Sequence, residues 1–169
     1  MNKNAQSLAG EFAVLSQLAL REMDANMTLG YTKNVDILVS NPKTGRMYKL
    51  EVKTSRNKPT RTRLFGNTLD WQMSKKHENI MDRDLFYCFV NISGEGNVFR
   101  FFVVPSTVVA RYVKEQHQYY LKDKSSRKDT DRREFRLLIT NEPNIFPSEQ
   151  LNKWENNWDF DIKSNAKNL

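Results

Sequence analysis

Hydrophobic and polar positions along the chain fall into a few distinct rhythms. Leu8, Phe12, Leu15, Ala19 and Met23 recur at helical spacing, which predicts one amphipathic helix over 4–24. The polar stretch around Gly30 ends it, with a short strand expected near 27–29. Residues 35–40 and 47–54 read as two strands of a β-hairpin, joined by Asn41-Pro42-Lys43-Thr44-Gly45-Arg46, with Pro early and Gly late. A polar, basic loop is expected over 56–68 and a short helix over 73–82. The apolar runs 85–92 and 98–104, separated by a Gly-rich turn, form a second hairpin. Pro105 and Ser106 start a helix to about 121, with Val108, Val109, Tyr112 and Val113 inward. Beyond it, 122–136 reads as a charge-dense surface loop, 135–140 as a short strand, 147–158 as a terminal helix and 163–169 as a frayed tail.

This order of helices and strands predicts a mixed α/β (α+β) domain built around one central sheet flanked by helices. The 169 residues fit one domain, with a core over 4–121 and an appendage over 122–162. Hydrophobic residues at 38% and aromatics at 11% supply a core despite a mean hydropathy of −0.72, which excludes wholesale disorder. No apolar run is long enough to span a membrane, and the first ten residues lack the apolar region of a secretory signal. The expected location is cytoplasmic. The single cysteine, Cys88, excludes an internal disulfide and any cysteine-rich zinc site. Only His77 and His117 could serve histidine chemistry, and they lie far apart in sequence. Nucleophile-elbow and P-loop motifs are absent. Any chemistry must therefore fall to carboxylates and lysines.

The informative segment runs from Asp36 to Lys53. Strand residues alternate faces, so Glu51 and Lys53 share one side while Leu50 and Val52 share the other. The hairpin folds Asp36 back toward the same end. Two carboxylates and a lysine brought together suit a hard divalent cation that keeps places for water and phosphate. The plainer alternative is a solvated ion pair on an edge strand. Glu11 lies on the flank of the first helix's apolar stripe, where it either meets a positive partner or reaches solvent. Gly10 beside it permits close approach of the helix to the sheet.

Gly10-Glu11 in a first helix, then Val35-Asp36-Ile37-Leu38-Val39, then Leu50-Glu51-Val52-Lys53-Thr54-Ser55, resembles the PD-(D/E)XK nuclease superfamily, including Holliday junction resolvase-like enzymes. The resemblance spans 4–121 as an order of elements, and Val35 stands where the motif has Pro. It implies the restriction-endonuclease-like fold and Mg²⁺- or Mn²⁺-dependent hydrolysis of nucleic acid, with DNA the expected substrate. It implies Glu11, Asp36, Glu51 and Lys53 as catalytic residues. Asp36, Glu51 and the Val52 carbonyl would be metal ligands, with Lys53 assisting the attacking water. Small nucleases of this kind often work as dimers, which leaves a homodimer open. A non-catalytic binding module of the same fold is the alternative, and a basic scaffold protein a third.

Charge sharpens the picture. The net charge is +7 and the pI about 9.5. Residues 53–63 hold five Lys or Arg and no acidic residue, and 122–136 hold seven basic against four acidic residues. The rest of the chain is close to neutral. Arg56, Lys58, Arg61 and Arg63, leaving the Glu51 strand, are candidates to track a phosphate backbone. A solvated loop remains the alternative. The resemblance adds Gln72 and Lys75, because in several subgroups of that superfamily a Gln or Lys just after the E-x-K strand approaches the site. Trp71 reads as packing or base stacking. Trp154 and Trp158, four apart on the expected terminal helix, read as a shared docking face or as a partner or nucleic-acid contact.

Overall fold

The computed structural model describes residues 2–28, 34–94, 96–140 and 146–161. Helix α1 (Lys3–Ala19) leads into strands β1 (Asp24–Met27), β2 (Ile37–Ser40) and β3 (Met47–Ser55). Next come β4 (Thr60–Thr62), β5 (Gly66–Ser74) and a 3-10 turn, Lys75–Asn79. Strands β6 (Leu85–Ser93) and β7 (Val98–Pro105) precede α2 (Ser106–Asp123), and β8 (Arg132–Leu138), β9 (Glu149–Gln150) and α3 (Leu151–Trp154) follow.

Two sheets result, not one. The first has the order β1-β2-β3-β6-β7, antiparallel except for the parallel β3–β6 pair. The second has the order β4-β5-β8-β9. Both expected hairpins are present, within a residue or two of their expected ends. Alternation on β3 and β6 divides the core. Leu50, Val52, Phe86, Cys88 and Val90 pack with Val14 and Leu18 of α1, whereas Tyr87 and Phe89 pack with Trp71, Phe135 and α2. Glu51 and Lys53 thus face the second sheet, and α1 covers the opposite side of β3.

Several expectations give way. Helix α1 stops at Ala19, and its buried row is Gly10, Val14 and Leu18, while Leu8 and Phe12 are exposed. Close contact decides this: a Cβ on Gly10 would lie 1.9 Å from Thr54 Oγ1, so only glycine lets α1 settle on β3 here. The basic loop over 56–68 contains β4 and the first turn of β5, and the helix over 73–82 is the end of β5 plus the 3-10 turn. Leu69, Trp71 and Met73 face inward at period two, and core packing selects strand over helix. The loop over 122–136 is in part β8, where Arg133 is buried in ion pairs with Glu78 and Asp129 and Phe135 stacks on Phe89.

The terminal helix is reduced to Leu151–Trp154. Trp154 joins the core between the sheets and Trp158 the core under α1, so the two share no face. Trp71 is packing, its indole donating to the Val90 carbonyl at 2.9 Å. Gly30 and the tail at 163–169 lie outside the described residues. Among the described residues no helix is long and apolar enough to cross a membrane.

Candidate active site

Three main-chain facts set the site. The Asp36 amide donates to the Leu50 carbonyl at 2.8 Å, which fixes the start of β2 against β3. Its carboxylate Oδ2 accepts the Val52 amide at 2.7 Å, two residues further along β3. The β2–β3 register ends at Ile37 opposite Leu50, so the edge of β3 beyond it has Asp36 where a strand would continue. A strand residue's N–H and C=O point to the same edge, which turns the Val52 carbonyl the same way.

Glu51 occupies the middle strand of its sheet and is 3% exposed. A buried carboxylate is costly unless paired and hydrogen-bonded. Lys53 Nζ lies 2.6 Å from Oε1, and His77 Nε2 lies 3.3 Å from the same oxygen. Burial works to raise the Glu51 pKa, but the His77 hydrogen bond and the Lys53 charge outweigh it and hold the group at about 2. His77 is set by a capping box: the Ser74 amide lies 3.0 Å from Nδ1, which turns Nε2 toward Glu51. The plainer alternative, a solvated pair on an edge strand, gives way to a buried Glu51 on a central strand.

Asp36 and Glu11 behave oppositely. Burial raises the Asp36 carboxyl, opposed by the Val52 hydrogen bond and by Lys53. Burial and the Asp36 charge raise Glu11, opposed by the Ser7 hydroxyl, which donates to Oε1 at 3.1 Å, and by Lys53. Lys53 thus acts on all three carboxylates, and Asp36 feels Glu51 as well. Sequence placed these four residues together, and the fold gathers them into one electrostatic cluster. A cleft of about 680 Å³ runs past Val52 and Lys53, walled by Gln6 and Ser7 of α1 and by Gln72, Ser74, Lys76 and His77.

The fit of a divalent ion can be judged from these residues. Glu51 Oε2 is buried with no hydrogen-bond partner, and two further carboxylates are held above their usual pKa, chiefly by burial. Both features suit a cation. Among the described residues no three His, Cys, Asp or Glu side chains lie close enough to cage an ion by themselves. The set on offer is two carboxylates with a main-chain carbonyl, leaving positions for water and phosphate.

The other expected residues divide. Arg56 and Gln72 line the cleft, Arg56 donating to Asn97 at 3.0 Å, and Lys58 and Arg61 are exposed. Arg63 and Lys75 point elsewhere, held by Asp123 and Asp129. Sequence reasoning missed His77, Lys76 and Tyr87. Lys76 lies near enough to Asp36 to lower its pKa, and its Nζ donates to Asn34 at 2.7 Å. Tyr87 is opposite Glu51 on β6, its hydroxyl buried beside that carboxylate and its pKa raised by burial and by Glu51. The Ser74-x-x-His77 capping box was the one local signal pointing to His77.

No family model matches the sequence, and no curated protein is similar to it. Among solved structures the chain is similar to the bacterial homing endonuclease I-Ssp6803I, at 15% identity and a TM-score of 0.51, across 94% of this chain and 91% of that one. The likeness supports the fold, which in this chain is mixed α/β, with two sheets flanked by helices.

Proposed function

We propose that this protein is a divalent-metal-dependent endonuclease that hydrolyses phosphodiester bonds in DNA. One observation carries the reading: a buried Glu51, kept ionised by Lys53 and His77, in electrostatic contact with Asp36 and Glu11 beside an open cleft. The similarity to the structure of a homing endonuclease supports it. Asp36, Glu51 and the Val52 carbonyl would hold Mg²⁺ or Mn²⁺, with Glu11 orienting its water shell. When bound, such an ion stabilises charge on the phosphate and lowers the pKa of a water.

The chain's own residues supply the rest. Lys53 lines the cleft while bonded to Glu51, so its ammonium can orient the attacking water and offset charge on a phosphate oxygen. His77 fixes the Glu51 carboxylate and keeps it charged. Arg56 and Lys76 add positive charge along the cleft for flanking phosphates.

The test is incubation with linear, nicked and branched DNA in Mg²⁺ or Mn²⁺. Expected are metal-dependent cuts that vanish with chelator and in Glu51→Ala and Lys53→Ala. No cleavage of any substrate by the parent protein, or unchanged cleavage by both variants, refutes the proposal. One observation favours a second reading, a nucleic-acid-binding module without turnover: Glu51 already has Lys53 as counter-ion. Calorimetric titration with Mn²⁺ separates the two. Binding lost in Asp36→Ala supports the enzyme, and DNA binding with no metal uptake supports the module.

A further inference from the structure

The cleft leaves unused the charge carried by 122–136. Folding turns that segment into the end of α2, a connection and β8, and it walls two adjoining hollows of about 510 and 280 Å³ that meet at Tyr120 and Arg136. Seven Lys or Arg line them, against Glu134 as the only lining carboxylate. Internal pairing leaves positive charge over. Asp123 is shared by Arg63 and Arg127, Glu134 by Arg132 and Arg136, and Arg133 is paired with Glu78 and Asp129. Lys124 and Lys128 make no ion pair among the described residues.

The guanidiniums are also held in fixed orientations. Arg127 lies 4.0 Å over the Tyr120 ring, and Arg136 lies 4.3 Å over Phe65. Arg136 Nη1 is buried without a hydrogen-bond partner, an N–H that an arriving oxygen anion would satisfy. The groove adjoins the cleft through the β5–β8 pair. Gln72, which lines the cleft, is in register with Glu134, which lines the groove, and Ser74 with Arg132. Adjacent strands lie about 4.8 Å apart, so a backbone leaving the cleft over Gln72 reaches these arginines within one strand spacing.

We propose that this groove is a second seat for the phosphate backbone of the same DNA duplex that enters the cleft, an inference that rests on the nuclease reading. Lys128 and Arg132 give its exposed charge, and Arg136 its buried donor. Phosphate is matched by forked guanidiniums and by lysine as a point charge.

The experiment measures binding of a fluorescent duplex, long enough to reach both surfaces, by anisotropy in chelator across a salt series. Each phosphate contact contributes about one unit of slope in log K against log salt. Lys128→Gln/Arg132→Gln is expected to lower the slope by about two and weaken binding roughly tenfold. Arg136→Lys is expected to weaken binding with a smaller change in slope. Lys43→Gln/Arg83→Gln removes the same charge from exposed positions elsewhere and should leave the slope unchanged. Thermal melts show that each variant is folded.

An unchanged slope in the groove variant, or an equal fall in the control, overturns the proposal. So does a groove variant that loses ATP binding but keeps duplex binding, which marks a seat for small phosphates. A parent protein that binds duplex but cuts nothing defeats the nuclease reading and leaves the groove standing on its slope. One that binds no duplex defeats both.

Discussion

In the five-stranded sheet one carboxylate, Glu51, lies on the middle strand, and the protein supplies both of its partners, Lys53 and His77. In the four-stranded sheet the cations outnumber their carboxylates, and Arg136 keeps a buried N–H unsatisfied. Position explains the difference. A charge buried as deeply as Glu51 has no access to water and must be neutralised from within. Lys124, Lys128 and Arg132 stay exposed on the connection before β8 and on its outer face, so an excess of one sign survives there for an outside partner to meet. The fold separates a closed electrostatic unit that sets chemistry from an open one that sets affinity.

Five variants bear on that separation, from the largest effect downward. Glu51→Ala removes the centre of the closed unit and leaves Lys53 and His77 facing a vacancy. Cleavage should fall by roughly 10³-fold or more, and urea melts should show a loss of about 3–5 kcal/mol. Gly10→Ala should drive α1 off Thr54 and carry Glu11 with it, costing about 1–3 kcal/mol by overpacking. A displacement near 1 Å at reacting groups costs about 10²-fold in rate, so kcat should suffer more than the melt. His77→Ala should weaken Mn²⁺ affinity by about 10- to 100-fold in calorimetry while sparing metal-free duplex binding. Loss of duplex binding as well would blur the two units into one.

Asp36→Asn and Tyr87→Phe probe smaller effects. The Asp36 carboxyl is raised above its ordinary value of 3.8, so the folded state binds the proton more tightly than the unfolded chain. Its favourable contribution is present below 3.8 and disappears as pH rises through the raised value. Asp36→Asn keeps an acceptor for the Val52 amide, so it should melt higher than the parent at pH 7 without metal, the advantage vanishing in acid. Glu51 has the opposite sign. Lowered from 4.5 to about 2, it stabilises the fold above 4.5 and loses that effect as pH falls toward 2. Tyr87→Phe removes a buried hydroxyl beside Glu51 and should shift the melt by under about 1 kcal/mol.

The Glu51–Lys53 half of the closed unit was legible in the sequence because local signals specify it, whereas His77 comes from a neighbour remote in sequence. Asn41 to Arg46 fixes the hairpin, alternation fixes the faces of Glu51 and Lys53, and Gly10 announces a close approach. The second sheet was far less legible. Leu69, Trp71 and Met73 do alternate, but Met73 read as the start of a helix. Arg133 on β8 points inward against Glu78, and a strand with a buried arginine looks like solvated loop until its partner is known. The face of α1 was misjudged because Leu8 and Phe12 are the larger apolar residues, while the contact is set by the smallest, Gly10. Trp154 and Trp158 part company because the helix ends between them. Each of these depends on a neighbour remote in sequence.

The parallel pairing of β3 with β6 carries one further consequence, for how the protein breathes. Seven residue pairs, from Lys49 with Leu85 to Ser55 with Asn91, bind the catalytic candidates into the inner part of the sheet. Such amides exchange with solvent only when the whole cooperative unit opens, whereas edge strands such as the two-residue β9 open alone at little cost. Glu51 and Lys53, whose amides face β6, should therefore be among the last to take up deuterium. Activity should survive mild denaturant until global unfolding, then vanish with it in a single transition.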